Sequence, residues 1–291
     1  MGIMVMDLSN IFFSALHVEI GDKDKPDINM LRHIVWNIIR SQRKKWSDYD
    51  TVVIATDGHK YWRREYFPYY KANRKKDRDA SDLDWTSIFQ IFDTIKQELV
   101  EHGPYPVIQI PEAEADDIIA AFALNPRTTS ENVLFDDEPE PMLILSGDKD
   151  FVQLQAGRPW IKQYNPVRKM MVTSTNPHRF KFEHIVRGDK GDGIPNILSD
   201  DASLVNEERQ KPIRQVKLDE WYQAGEAAFV NTQLRRGWDR NKKLIDLEEV
   251  PEEIQKKTLE SFEAQSPNKS KLMPFFMKNR MSVMLENIQD F

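Results

Sequence analysis

Four short runs of apolar residues constrain the fold of this chain more than any other feature of its sequence. Each run is continuous rather than alternating, which is typical of a strand that is covered on both faces within a parallel sheet. The four predicted strands comprise residues 3–6, 51–56, 106–110 and 142–145. Segments with helical periodicity separate them, and this alternation predicts an α/β fold with a mostly parallel central sheet flanked by helices.

Helical patterns and a hairpin complete the predicted elements. The predicted helices comprise residues 30–45, 82–101, 112–124, 218–231, 252–264 and 272–289. Segments 160–164 and 169–172, joined by an Asn-Pro dipeptide, are typical of a hairpin added to the sheet. The stretch 125–141 contains three prolines and five acidic residues and therefore predicts a surface insertion.

The length of 291 residues provides ample chain to bury a large core. Strand patterns fade beyond Gly188, and helical patterns follow. We therefore expect an α/β core over residues 1–188 and a helical C-terminal region over residues 189–291.

The composition excludes several classes of protein. Cysteine is absent, so disulfides, Cys-ligated zinc, iron–sulfur clusters and a thiol nucleophile are all excluded. No apolar run approaches the roughly 20 residues that span a bilayer, and the N-terminus does not resemble a signal peptide. A cytoplasmic location is expected. The net charge, 41 − 47 = −6, argues weakly against a nucleic-acid partner, but the charges are unevenly distributed.

Acidic residues follow the predicted strands. In an open parallel sheet the functional crevice lies at the carboxyl ends of the strands, so these side chains are expected to meet at one edge. Two further acidic residues lie three apart in a glycine-rich turn. The nine candidate metal ligands are Asp7, Asp57, Glu114, Asp116, Asp117, Asp148, Asp150, Asp189 and Asp192.

Taken singly, each of these residues has an ordinary structural interpretation as a helix cap or a turn residue. Caps and turns do not explain the set as a whole, because like charges 4 Å apart repel by about 4 kcal/mol at an effective dielectric constant of 20. Such a cluster requires cations, and oxygen-only ligands select Mg²⁺ or Mn²⁺. The six histidines show no metal-ligand spacing, so each is expected to be a surface or core residue.

A basic and aromatic segment follows the second predicted strand. Residues 59–78 contain eight Lys or Arg, two acidic residues and six aromatic residues, a local charge of 8 − 2 = +6. Cations attract phosphates, and aromatic faces stack on unpaired bases, so the segment has the composition of a nucleic-acid-binding arm. An acidic metal site beside such an arm predicts hydrolysis of a polynucleotide by two metal ions. The arm is assigned to residues 59–84.

The acidic motifs, in this order, resemble those of the structure-specific 5′-nucleases, the family of the flap endonucleases and of the 5′-nuclease domain of bacterial DNA polymerase I. The motifs are Asp7, Asp57, Glu114-Ala115-Asp116-Asp117, Ser146-Gly147-Asp148-Lys149-Asp150 and Gly188-Asp189-Lys190-Gly191-Asp192. The segment YWRREYFPYYKANR and the last five residues are similar to bacteriophage members with RNase H activity. The resemblance spans nearly the whole chain.

The resemblance implies a PIN-like 5′-nuclease core that binds two Mg²⁺ ions, with Mn²⁺ as a substitute. The nine acidic residues would hold these ions, several of them through water. The implied function is a 5′→3′ exonuclease and flap endonuclease that removes RNA primers and adjacent DNA during lagging-strand replication. Its substrates would be DNA and RNA/DNA duplexes with 5′ ends or flaps. The protein would act as a monomer, and a single-strand-binding protein and a sliding clamp would be its partners.

The resemblance also assigns roles to the arm. Lys71 would contact the scissile phosphate and, with Arg63, serve catalysis. Tyr70 would stack on a base, while Arg63 and Arg74 would bind the 5′ strand. Lys75 and Lys76 would also bind nucleic acid. Pro68 interrupts any helix in this segment.

The chain departs from the family pattern after the last acidic motif. The sequence Gly193-Ile194-Pro195 lacks the glycine pair of the family's helical hairpin, which grips duplex DNA through backbone amides and a potassium ion. Lys211, Arg214 and Lys217 are hypothesised to contact phosphates instead. The alternative functions are a PIN-type single-strand ribonuclease and a non-catalytic DNA-binding module.

Overall fold

The computed structural model describes residues 2–21, 25–128, 138–230 and 232–291. A single six-stranded sheet lies at its centre, in the order β3-β2-β1-β4-β5-β6. The strands are Ile3–Asp7 (β1), Thr51–Thr56 (β2), Val107–Gln109 (β3), Met142–Leu145 (β4), Ile161–Asn165 (β5) and Met170–Met171 (β6). All neighbouring strands are parallel except β5 and β6, so the predicted mostly parallel sheet and its added hairpin are confirmed.

The strand order reverses at the middle of the sheet. β1 pairs with β2 on one side and with β4 on the other, both in parallel. The chain proceeds outward to β3 along one half and outward to β6 along the other half. This reversal opens a crevice beyond the carboxyl ends of β1 and β4, which is where open α/β sheets bind ligands.

Helices cover both faces of the sheet and form most of the C-terminal half. The helices are Leu8–Ile20 (α1), Ile28–Lys45 (α2), Trp62–Tyr66 (α3), Asn73–Asp79 (α4), Trp85–His102 (α5), Ala115–Leu124 (α6), Pro177–Arg187 (α7), Gln215–Ala224 (α8), Thr232–Ile245 (α9), Glu252–Ala264 (α10), Leu272–Lys278 (α11) and Ser282–Glu286 (α12). Short 3₁₀ segments connect several of them. None of the helices within the described ranges is long and apolar enough to cross a membrane.

Five of the six predicted helices differ from the observed ones in their bounds, two of them by no more than three residues at either end and three of them more substantially or for a visible structural reason. α6 begins at Ala115 rather than at residue 112, because Glu114 and Asp117 form a capping box there. The predicted helix 218–231 corresponds to α8, which ends at Ala224 and continues as a 3₁₀ turn. The predicted helix 272–289 is interrupted between α11 and α12, where Arg280 has a φ of 54°.

Side chains of β1 alternate between two hydrophobic clusters, one on each face of the sheet. Met4 and Met6 pack with residues of α1, α2, α5 and α11, whereas Ile3 and Val5 pack with residues of α6 and α10. The last helices of the chain therefore return to the sheet. A third cluster joins α7, α8 and α9 to Phe67 and Tyr70 of the basic arm.

The segment 125–141, predicted to be a surface insertion, lies largely outside the described residues. Its two described ends approach each other through an isolated bridge between Thr128 and Pro139. Arg127 forms an ion pair with Glu140, with 2.7 Å between Nε and Oε2. These contacts close the base of the segment.

Candidate active site

Five of the nine candidate carboxylates line one cavity of about 520 Å³ at the carboxyl ends of β1 and β4. These residues are Asp7, Asp57, Glu114, Asp116 and Asp148. The side chains of Lys71 and Arg74 from the basic arm line the same cavity. The topology of the sheet therefore brings together acidic residues that are up to 141 positions apart in the sequence.

The backbone and hydroxyl groups around the crevice hold two of these carboxylates in place. Asp7 caps α1 by accepting a hydrogen bond from the backbone N–H of Asn10 at 3.0 Å, and its other oxygen accepts one from the Ser146 hydroxyl at 2.9 Å. Asp57 accepts hydrogen bonds from the Ser9 hydroxyl at 2.7 Å and from the backbone N–H of Ala115 at 2.9 Å. The capping interpretation of Asp7 is thus correct, and the same residue also faces the cavity.

Among the described residues that line the crevice, two cationic side chains, Lys71 and Arg74, stand against five carboxylates. Burial and the nearby charges of Asp57 and Asp148 raise the pKa of Asp7 to about 7. Burial, with repulsion from Asp148 and Asp7, raises the pKa of Asp116 well above its ordinary value. Divalent cations bound between these oxygens would remove that repulsion, so the donor set fits Mg²⁺ or Mn²⁺.

A buried ionic network lies directly beneath the crevice. Glu114 accepts hydrogen bonds from the Tyr70 hydroxyl at 2.8 Å and from Arg63 at 3.0 Å, and it forms an ion pair with Lys71. Asp117 contacts Arg63 at 2.7 Å and accepts hydrogen bonds from the Trp62 indole and from the backbone N–H of Glu114. Burial raises the pKa of Glu114, but the charges of Lys71 and Arg63 outweigh it and hold that pKa below its ordinary value.

The network shows that three predicted site residues occupy positions different from those expected. Asp117 is fully buried beneath the cavity, where Arg63 neutralises it. The guanidinium of Arg63 is also buried, and its Nε donates to the Leu244 carbonyl at 2.8 Å, so it holds carboxylates rather than facing a 5′ strand. Only 3% of Tyr70 is exposed, so its ring does not offer a face for base stacking.

The turn that carries the last acidic motif docks onto the arm. The carboxylate of Asp192 accepts hydrogen bonds from the Tyr70 hydroxyl at 3.0 Å and from Arg74 at 2.6 Å. The backbone N–H of Lys71 donates to the Asp192 carbonyl at 2.7 Å. Gly193 has a φ of 73°, and a Cβ there would lie 2.8 Å from the Tyr69 carbonyl, so this close approach requires glycine. The docking holds the Lys71 side chain at the crevice.

Asp150 and Asp189 form a second acidic group together with a histidine. α7 packs against the 3₁₀ turn that follows β4, and this packing places His184 between the two carboxylates. Nδ1 of His184 lies 3.4 Å from Asp150 Oδ1, and Nε2 lies 3.3 Å from Asp189 Oδ2. Burial and repulsion from neighbouring aspartates raise the pKa of Asp150 to about 7, although His184 lowers it.

Sequence reasoning missed His184 because no ligand spacing marks it. The three residues can together hold a metal ion, since one candidate ligand atom from each lies within 4.8 Å of the others. The expectation that every histidine is an ordinary surface or core residue did not include this contact with two candidate metal ligands. The sequence feature that could have pointed to His184 is its position five residues before Asp189, a candidate metal ligand.

A second cavity, of about 530 Å³, adjoins the crevice and combines basic with aromatic side chains. Its lining residues are Phe13, Asp57, His59, Tyr61, Arg64, Lys71, Arg74, Arg78, Trp85 and Phe89. Lys75 and Lys76 are exposed on the neighbouring helix α4, and Lys76 forms an ion pair with Glu207. As predicted, Pro68 lies outside helical structure, between α3 and α4.

Comparisons with known proteins identify the family. Residues 2–183 match the family described as 5′-3′ exonuclease, N-terminal resolvase-like domain. Residues 180–291 match the family described as T4 RNase H, C terminal. The chain is 29% identical to the ribonuclease H of Enterobacteria phage T4 over 303 residues, which cover all of this chain and 96% of that protein.

Solved structures show the same fold. A bacteriophage T5 protein co-crystallised with metal ions superposes with a TM-score of 0.59 at 18% identity, covering 90% of this chain and 99% of that one. The bacteriophage T5 flap endonuclease in a complex with DNA and metal ions gives a TM-score of 0.58, also at 18% identity, with 90% and 100% covered. The chain therefore belongs to the 5′-3′ exonuclease family and is a nuclease whose C-terminal region is of the T4 RNase H type.

Proposed function

We propose that this nuclease removes RNA primers and adjacent DNA from the 5′ ends of lagging-strand fragments, and that it uses two Mg²⁺ ions. The observation that carries the proposal is the crevice itself: five carboxylates line one cavity beside a basic arm. The T4 relative is a ribonuclease H, which supports RNA-primed 5′ ends as substrates. If a phage encodes the chain, this work takes place in the cytoplasm of the host.

We assign metal binding to the carboxylates that face the crevice and the adjacent acidic group. Asp7, Asp57, Asp116 and Asp148 hold one ion, and Asp150 and Asp189 hold the second. Bound divalent ions supply activation of water and neutralisation of the phosphodiester charge. Glu114 and Asp117 anchor the arm through Lys71 and Arg63, and Asp192 orients Arg74.

Lys71 is the candidate catalytic residue of the chain. Its ammonium group is nearly buried, contacts Glu114 and lies 3.4 Å from Asp192 Oδ2. Burial lowers the pKa of Lys71, but the charges of Glu114 and Asp192 outweigh it, so the side chain remains protonated at neutral pH. A fixed cation at the wall of the crevice is suited to contact the scissile phosphate.

The DNA strands extend from the crevice over two basic surfaces. Arg74 and Lys75 on α4 bind the 5′ strand, and the adjoining cavity receives its bases. Lys211, Arg214 and Lys217 are exposed around the start of α8 and contact the phosphates of the duplex. This second surface replaces the glycine-rich grip that the sequence lacks.

The experiment that tests the function compares defined substrates under one set of conditions. The protein is mixed with a 5′-flapped DNA duplex, an RNA-primed duplex and single-stranded RNA, each with Mg²⁺. We expect cleavage near the 5′ junction of the flapped and primed duplexes, abolished by EDTA. Preferential cleavage of single-stranded RNA would instead support a PIN-type ribonuclease.

Asp148→Asn tests whether the cleavage belongs to the crevice. Loss of a metal ligand removes several kcal/mol of transition-state stabilisation, and 1.4 kcal/mol corresponds to tenfold, so turnover should fall at least about a hundredfold. Asp93→Asn, an exposed aspartate on α5, is the matched control and should keep full activity. Unchanged turnover in Asp148→Asn would favour the non-catalytic DNA-binding interpretation and contradict the proposal.

A further inference from the structure

His184 has two different carboxylates at its two ring nitrogens. Nε2 faces Asp189 Oδ2 at 3.3 Å, which is a hydrogen-bonding distance. Nδ1 faces Asp150 Oδ1 at 3.4 Å, but within the described residues this buried atom makes no hydrogen bond. The ring is therefore held on one side and has an unsatisfied nitrogen on the other.

The chemistry of imidazole makes this arrangement informative. A neutral ring has one N–H donor and one acceptor nitrogen. If Nε2 donates to Asp189 and Nδ1 carries no proton, the lone pair of Nδ1 faces the lone pairs of Asp150, and the two repel each other. Burial lowers the pKa of His184, but the hydrogen bond to Asp189 and the charge of Asp150 outweigh it and raise that pKa, so without a metal a second proton on the ring relieves this repulsion. A divalent cation between Nδ1 and the Asp150 carboxylate would turn this repulsion into two coordinate bonds.

The distances agree with such an ion. Metal–nitrogen and metal–oxygen bonds of about 2.0–2.2 Å place neighbouring ligand atoms about 2.8–3.1 Å apart in an octahedral shell and about 3.3–3.6 Å apart in a tetrahedral one. The observed separation of 3.4 Å between Nδ1 and the Asp150 oxygen falls within the tetrahedral range and is only slightly longer than the octahedral one. Little movement of either side chain is needed to bind an ion.

Asp189 is placed to orient the ring. Metal-binding histidines usually donate their second N–H to a carboxylate, which fixes the ring and raises the basicity of the ligating nitrogen. One oxygen of Asp189 faces Nε2 of His184, and the other accepts a hydrogen bond from the backbone N–H of Asp192 at 3.0 Å. The carboxylate is therefore fixed by the same turn that docks the arm.

We propose that His184 is a nitrogen ligand of the second metal ion, bound through Nδ1 together with Asp150, and that it shifts the preference of this site from Mg²⁺ towards Mn²⁺. The inference rests on the proposed two-ion function and revises its ligand set: His184 joins Asp150 at the second ion, and Asp189 orients the imidazole ring instead of binding that ion directly. Imidazole favours transition metals over Mg²⁺, which prefers oxygen. The consequence is a preference for Mn²⁺ over Mg²⁺ that the acidic motifs alone do not predict.

Pulsed electron paramagnetic resonance of bound Mn²⁺ tests the ligand directly, because a coordinated imidazole nitrogen couples to the electron spin of the metal. We expect ¹⁴N coupling in the unmodified protein and its replacement by ¹⁵N coupling after selective labelling of histidine. The coupling should disappear in His184→Gln. It should persist in His178→Gln, an exposed histidine on the same helix that serves as the matched control.

Competition between Mn²⁺ and Mg²⁺ gives a second measurement. We expect the ratio of the two affinities at this site to fall about tenfold or more in His184→Gln. His184→Lys keeps a cationic side chain between the carboxylates but cannot supply the imidazole, so it should show the same loss. A wild-type ratio in the lysine variant would mean that His184 acts only as a charge, and it would overturn the proposal.

The outcomes separate this inference from the proposed function. Bound Mn²⁺ without nitrogen coupling, in a protein that cleaves flapped duplexes, would overturn the role of His184 and leave the nuclease function intact. Nitrogen coupling in a protein that cleaves no 5′-ended substrate would support the ligand and contradict the proposed function. The spectrum of the unmodified protein decides the inference even where a variant does not fold.

Discussion

Asp116 and Asp117 are consecutive residues on α6, and burial raises the pKa of both, yet they lie in two regions with different charge partners. Asp116 lines the crevice, where carboxylates outnumber the cations that the protein supplies. Asp117 lies in the buried network beneath, where Arg63 pairs with it at 2.7 Å. The comparison shows that one residue type, in one motif, serves as a candidate metal ligand or as a structural anchor according to the cation that it meets.

Helical geometry accounts for the difference. Successive residues of an α-helix point about 100° apart, so two neighbours at its first turn face different surroundings. Asp117 points towards α3, where Trp62 and Arg63 approach it, and its carboxylate also caps the helix at Glu114. Asp116 is left facing Asp7 and Asp148 across the crevice, and both raise its pKa.

Replacing Arg63 should produce the largest loss of stability. Arg63→Met leaves Glu114 and Asp117 buried with less compensating charge, and breaking a buried ion pair in this way costs about 3–5 kcal/mol. Denaturant-induced unfolding, monitored by circular dichroism, measures the change. Arg64→Met, the exposed neighbour on α3, should cost less than about 0.5 kcal/mol. Equal losses in the two variants would show that the network does not hold the arm.

The paired variants Asp117→Asn and Asp116→Asn should differ in their effect on stability, with a loss only in Asp117→Asn. Asp117→Asn weakens the neutralisation of buried Arg63 and should lower the free energy of unfolding by about 1–3 kcal/mol. Asp116→Asn removes one of several repelling charges and, without metal at pH 8, should leave stability unchanged or raise it by about 1 kcal/mol. The same denaturation assay, with EDTA present, compares them. A loss of similar size in both variants would contradict the distinction between the regions.

Metal-induced stabilisation should increase with pH. The raised pKa values of Asp7 and Asp150, both about 7, mean that these groups favour folding below pH 4 and lose that contribution as the pH rises through 7. Metal ions bind the deprotonated groups, so the rise in Tm caused by Mn²⁺ should be about 2–4 °C larger at pH 8 than at pH 5.5. Thermal scans with and without Mn²⁺ measure it. A pH-independent shift would indicate binding elsewhere.

Replacing a single exposed lysine of the basic arm should give the smallest effect of the series, a change in the salt dependence of DNA binding. Lys75→Ala removes one exposed phosphate contact, so the slope of log K against log[salt] for a flapped duplex should fall by about 1. Fluorescence anisotropy between 50 and 200 mM salt measures the slope. Lys256→Ala, an exposed lysine on α10, should leave it unchanged. An identical slope in both variants would remove α4 from the DNA path.

Much of the fold was predictable because buried parallel strands carry a local signal. The runs at 3–6, 51–56 and 142–145 are apolar throughout, and the structure places a strand at each. Acidic residues that follow different strands in the sequence also lie close together in the structure, because the carboxyl ends of parallel strands share one edge of the sheet. Asp7, Asp57 and Asp148 meet in the crevice for that reason.

Other features depend on tertiary contacts that no local pattern encodes. α9 was missed because it is strongly charged and contains Gly237, which reads as a helix breaker. In the structure a Cβ at Gly237 would lie 2.2 Å from the Ile197 carbonyl, so the helix needs glycine to pack. The same holds for Arg63 and His184, whose roles follow from partners that are 51 and 34 residues distant, Glu114 and Asp150.

The central claim is that the crevice carboxylates are balanced by divalent ions, whereas the buried carboxylates are balanced by the protein. Anomalous diffraction from a crystal soaked in Mn²⁺ tests it most directly. We predict anomalous peaks among Asp7, Asp57, Asp116 and Asp148, and none at Asp117, which should remain paired with Arg63. A crevice free of peaks under saturating Mn²⁺, or Mn²⁺ bound only at other surfaces, would contradict the account.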